Sequence, residues 1–137
     1  MLPISEKSKK LPSSPIRKLV PLAEKAEARG VKIYKLNIGQ PDIATPQVAI
    51  DAVKNIKETI LPYSHSAGRI STRRKFAEYY RRLGIELSTD EVLVTTGGSE
   101  AVLFAFMACL NPGEEVITFE PFYANYNGFA ITAGVTV

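Results

Sequence analysis

The chain has 137 residues, 45% hydrophobic and 23% charged, a mix that excludes collagen-like and disordered classes and fits one domain burying roughly two-thirds of its unfolded surface. Seventeen Lys and Arg against 14 Asp and Glu leave a net charge of +3, too small a surplus to argue for nucleic acid. No run approaches the roughly 18 apolar residues of a membrane span, "MLPISEKSKK" lacks a signal-peptide core and one cysteine cannot close an internal disulfide, so the default address is a reducing cytoplasm.

Residues 1–35 carry nine basic and three acidic side chains, and the proline-marked stretch 1–14 reads as an extended, solvated arm. Ser14 is placed to cap a helix with Pro15 in its first turn, closing at a C′ glycine, Gly30, with Pro21 kinking or restarting it. "VKIYKL", 31–36, reads as a short strand ahead of the turn-rich loop "NIGQPDIATP". Thr45 and Pro46 restart a helix with Val48, Ala49, Ala52, Val53 and Ile56 on one face. After the loop "TILPYSHSAGR", the spacing predicts a helix from about Ser71 to Gly84. Phe76, Tyr80 and Leu83 point inward there, and Arg73, Arg74, Lys75, Arg81 and Arg82 toward water.

The remainder alternates. "EVLVTT" is a strand, "GGSEAVLFAFMACL" a helix holding Cys109 as a buried thiol, "NPGE" a turn and "EVITFE" a second strand. "PFYANYNGFAITAG" forms one more helix and "VTV" opens a third strand. Apolar, β-branched strands separated by helices are the pattern of a parallel sheet covered on both faces, hence an α/β fold. So few strands would leave open edges, so the chain reads as the front part of a longer α/β protein.

Gly97, Gly98 and Ser99 join the strand ending at Thr96 to the next helix, and the first amides, of Gly98, Ser99 and Glu100, have no backbone acceptor. A helix N-terminus approached through glycines, with a serine hydroxyl beside it, suits a phosphate. An ordinary serine N-cap accounts for the same residues equally well. Neither a Walker loop nor G-x-G-x-x-G is present. Phe122, Tyr123 and Tyr126 follow the second strand, at the carboxyl edge where open α/β sheets hold ligands. Phe122 and Tyr126 read as core packing, and Tyr123 as a ring able to lie against a planar group. His65, the single histidine, has no metal-ligand neighbours at suitable spacing, so no metal is expected.

Taken together, "LNIGQPDIATP", "YSHSAG", "VTTGGSEAV" and "NPGEEVITFEPFYANY" resemble the class I/II aminotransferases, fold-type-I enzymes that use pyridoxal 5′-phosphate, from about Ser14 to the last residue. The resemblance implies an N-terminal arm (1–14), a first helix, short strand and substrate-side loop (15–45), and the start of the large cofactor-binding domain (46–137), mostly parallel sheet flanked by helices. It implies that Gly98, Ser99 and Glu100 hold the cofactor phosphate and that Tyr123 stacks on the pyridine ring. It also implies that Tyr63 reaches the phosphate of the neighbouring subunit in a homodimer, and that Gly39 meets the substrate carboxylate through its backbone. The departure at "GRISTRRKF", where relatives often carry Pro-Glu-Leu-Arg, falls in a structural helix and touches no chemistry.

The implied activity moves an amino group between an L-amino acid and a 2-oxo acid, with no nucleic-acid or membrane partner. The Schiff-base lysine, the acidic partner of the pyridine nitrogen and the arginine gripping the substrate carboxylate are expected beyond Val137. No catalytic residue is therefore assigned, and the chain is expected to be inactive alone. The same motifs also admit another fold-type-I enzyme, such as a C–S lyase or an aminocyclopropane-carboxylate-synthase-like protein, or a non-catalytic aminotransferase-like ligand-binding domain.

Overall fold

The computed structural model describes residues 2–137, which divide into two units: the chain through Arg17 with Ser64–Val137, and Lys18–Tyr63. The helices among the described residues are α1 (Glu6–Lys10), α2 (Val20–Glu27), α3 (Gln47–Lys54), α4 (Ile70–Arg82), α5 (Gly98–Cys109) and α6 (Asn125–Ala133), with 3-10 turns at Arg17–Leu19 and Thr89–Glu91. None is long and apolar enough to cross a membrane.

In the larger unit α5 and α6 pack together, and Ala130 and Val135 are buried there. The arm is not fully extended as expected. Ser5 Oγ accepts the Ser8 amide at 3.1 Å and so starts α1, and Lys7 Nζ donates to the Thr132 carbonyl at 3.0 Å, tying α1 to α6. A serine cap followed by charged helix formers favours that turn over a loose tail.

α4 leaves through Gly84 at φ +79°, as its C′ glycine requires. Its faces differ from the sequence expectation. Arg73 is buried rather than solvated: Nη1 donates to the Thr89 carbonyl at 2.9 Å and stands 3.6 Å from the Asp90 carboxylate. Phe76, Tyr80 and Leu83 are exposed rather than inward. The guanidinium follows a carbonyl acceptor sixteen residues downstream, a long-range partner that helical periodicity does not encode.

The smaller unit begins its α-helix at Val20, with Pro21 in the first turn where its missing N–H costs nothing. Ser14 Oγ accepts the Arg17 amide at 3.4 Å, but the turn it opens is 3-10. Pro46 caps α3, whose expected apolar face, Val48, Val53 and the following Ile56, is exposed. The strand expected at 31–36 does not form. Leu36 and Ile38 make only local turns, to the Tyr34 and Lys35 carbonyls, while the Lys32 ammonium lies 4.8 Å from the centre of the Tyr34 ring and Lys35 pairs with Glu27 at 3.1 Å.

The expected strands at 91–96 and 115–120 also lack ladders. Among the described residues there is one parallel bridge, Glu115 to Thr136, flanked by Val116 N–H to Thr136 O at 2.8 Å and Thr136 N–H to Glu114 O at 3.0 Å. Val94 N–H donates to Ala67 O at 3.1 Å. A ladder needs a neighbouring segment about 4.8 Å away along its length, and Leu93, Ile117 and Phe119 are left exposed instead. The accessible surface is 11983 Å², whereas a self-contained globule of 15.0 kDa exposes about 7,000 Å². The two-thirds burial expected from length is thus not reached. Cys109, expected to be buried, is exposed.

Candidate functional site

Thr95, Gly97 and Glu100 shape the entry to α5. Thr95 Oγ1 donates to the Gly97 carbonyl at 2.9 Å, and Glu100 Oε2 accepts the Thr96 amide at 2.6 Å. Gly97 sits at φ +102°, a conformation a side chain opposes. The helix then starts with no side-chain cap, and Ala101 N–H to Gly97 O is its first backbone bond. The amides of Gly98, Ser99 and Glu100 find no acceptor among the described residues, nor does the Ser99 hydroxyl. Gly98 and Ser99 are exposed, and a Cβ placed at either Gly97 or Gly98 would meet open space.

Across this opening stands the aromatic cluster at the start of α6. Tyr123 and Tyr126 meet edge to face, centroids 5.9 Å apart at 89°, and Phe122 stacks on Tyr126 at 6.1 Å and 4°. Gly98, Ser99, Val102, Tyr123, Tyr126 and Phe129 line one cavity of about 320 Å³. Outward amides, a hydroxyl and an aromatic ring thus share a single opening. Tyr126, read from sequence as core, contributes to it; an aromatic three residues after Tyr123, one helical turn on, is the signal that marks it.

Gly39 and Tyr63 belong to the other unit. Gly39 is exposed with open space where a Cβ would stand, and Tyr63 projects fully into solvent. His65 accepts the Ala67 amide at Nδ1, 3.1 Å, holding the turn that leads to Gly68.

The family model for aminotransferase class I and II matches residues 31–137. The chain belongs to that family. Its members are enzymes that depend on pyridoxal 5′-phosphate. Among the relatives, an aspartate aminotransferase of Thermotoga maritima is 34% identical over 95% of this chain and 36% of its own length. A (5-formylfuran-3-yl)methyl phosphate transaminase of Methanocaldococcus jannaschii is 33% identical over 81% of this chain and 30% of its own. Among solved structures, an alanine aminotransferase from Pyrococcus furiosus superposes with a TM-score of 0.88 and 32% identity, covering 97% of this chain and 35% of that one. The chain therefore spans about a third of the length of the aminotransferases it matches.

The donors fit the cofactor of this family. A phosphate ester needs several hydrogen-bond donors and little steric cover, which unpartnered amides behind two glycines provide. The planar pyridine needs a flat apolar neighbour, and Tyr123 lines the same opening. Glu100 directs its carboxylate at the Thr96 amide, so its amide rather than its charge is left for an anion.

Proposed function

We propose that this chain is the phosphate- and ring-binding part of an aminotransferase that moves an amino group between an L-amino acid and a 2-oxo acid. The shared opening of the Gly98 amides and Tyr123 carries the reading. Gly98, Ser99 and Glu100 donate amides to the phosphate of pyridoxal 5′-phosphate, and Ser99 adds its hydroxyl. The partial positive charge at the start of α5 favours the dianion, and Tyr123 lies against the ring and shields one face from water. When bound, the cofactor supplies an electron sink for negative charge developing beside the amino group.

Gly39 supplies a backbone contact to the substrate carboxylate. Tyr63, whose side chain is wholly exposed, reaches the phosphate held by a second subunit, so the working form is a homodimer in the cytoplasm. The segments 91–96, 115–120 and 135–137 become parallel strands of the large domain; the Glu115–Thr136 bridge supports this pairing. The arm, the substrate-side segment 15–45 and the domain start at 46 keep the divisions set out above. The Thermotoga maritima and Methanocaldococcus jannaschii relatives are both transaminases, which favours amino transfer over lyase chemistry.

Spectroscopic titration of the 137-residue chain with pyridoxal 5′-phosphate tests this. Saturable binding displaced by inorganic phosphate is expected, weakened about tenfold in Ser99→Ala by loss of a charge-assisted donor. No amino transfer is expected, because the cavity lining contains no lysine to form the covalent link. Binding indifferent to phosphate and to Ser99→Ala, or turnover by this chain, contradicts the proposal.

A further inference from the structure

Asn125 is the first residue of α6, which has no side-chain cap. Instead of capping, its Nδ2 donates to the Tyr123 hydroxyl at 2.8 Å. Tyr123 is 48% exposed, so packing alone leaves its ring free to swing about χ1 and χ2. Two contacts oppose that motion: the edge-to-face meeting with Tyr126, itself stacked on Phe122, and the hydrogen bond from Asn125 at the far end of the ring. The backbone holds one end of the phenol and α6 holds the other. A ring tethered at both ends presents one orientation to the cavity it shares with Gly98 and Ser99.

We propose that Asn125 is a positioning residue, acting through the Tyr123 hydroxyl to fix the ring plane that receives a planar heteroaromatic ligand beside the Gly98–Ser99 amides. This rests on the reading that the opening takes pyridoxal 5′-phosphate. Asn125 touches neither the phosphate donors nor Ser99, so its effect is confined to the ring. An ordered ring loses less entropy when the ligand stacks on it, and that difference appears as affinity.

The experiment compares wild type, Asn125→Ala, Tyr123→Phe and the double variant in two readouts. The first is the Cζ resonance of Tyr123 in protein carrying ¹³C-labelled tyrosine, with no cofactor added. The second is the ratio of dissociation constants for pyridoxal 5′-phosphate and inorganic phosphate. Asn125→Ala is expected to move the Tyr123 resonance while leaving that of Tyr79 in place. It is expected to weaken pyridoxal 5′-phosphate about fivefold with inorganic phosphate unchanged, the size of one neutral hydrogen bond, and to add nothing in the Tyr123→Phe background. General damage to α6 would weaken both ligands together and leave the ratio unchanged.

An unmoved Tyr123 resonance overturns the tether whatever the ligand does. A moved resonance with an unchanged ratio overturns the positioning role alone. A wild-type protein that binds neither ligand overturns the cofactor reading and this role with it.

Discussion

Gly68 shows how far one backbone position is committed. Its φ is +92°, and a Cβ built there would stand 2.6 Å from Val94 Cβ and 2.7 Å from Val94 Cγ2. The carbonyl of the preceding Ala67 accepts the Val94 amide at 3.1 Å, so neither side can withdraw without losing that bond. Gly68→Ala adds a left-handed backbone cost to a steric one and is expected to lower stability by about 2–4 kcal/mol, read by urea denaturation. An alanine variant within 0.5 kcal/mol of wild type, the range of ordinary surface changes, would show that the contact is not held in solution. Gly97, at φ +102° with open space around it, is the contrasting case: its glycine serves conformation and ligand approach rather than packing.

Short turns at the ends of elements carry part of the pH dependence of the fold. Glu91 accepts the Ser88 amide at 2.8 Å and its hydroxyl at 2.9 Å, and Glu114 accepts the Asn111 amide at 2.6 Å. These hydrogen bonds to the ionised form hold both carboxyls below their ordinary value of 4.5. A folded-state pKa below the unfolded one means stability that is fully present above pH 4.5 and is lost as pH falls through the lowered values. Glu91→Gln with Glu114→Gln is therefore expected to flatten the acid limb of a stability-against-pH curve and to lower stability at neutral pH. An acid limb as steep as in wild type would contradict this assignment. Apart from α1, the helices were legible in the sequence because their signals are local: Pro46 before α3, Gly84 after α4, Gly97 before α5, Gly134 after α6. Strand pairing was not, because a ladder belongs to two segments at once, and among the described residues only Glu115 and Thr136 form a bridge. The burial of Arg73 escaped for the same reason, its partner being the distant Thr89 carbonyl. Around the site, the outward amides followed from the strand-to-glycine-to-helix order, whereas the Asn125 to Tyr123 bond depends on side-chain torsions that no spacing reports.

At the scale of the whole molecule the dominant feature is uncovered apolar surface. Leu93, Ile117 and Phe119 in the extended segments and Phe104 and Met107 on α5 are all exposed. The burial of hydrocarbon that stabilises a domain of this size is therefore incomplete. The 137-residue chain is expected to bind 1-anilinonaphthalene-8-sulfonate in its native state and to self-associate as its concentration rises. A monodisperse chain with no dye enhancement at high concentration would contradict that picture. Cofactor capture, by contrast, needs only one local arrangement: Gly98, Ser99 and the Tyr123 ring lining the same opening, with the Glu100 amide unpartnered beside them. Titrating ¹⁵N-labelled protein with pyridoxal 5′-phosphate and following amide resonances measures that arrangement directly. Gly98, Ser99 and Glu100 are expected to shift together and saturably while Gly113 and Gly134 stay in place; unmoved amides at 98–100, or shifts centred elsewhere, would contradict phosphate capture at the start of α5.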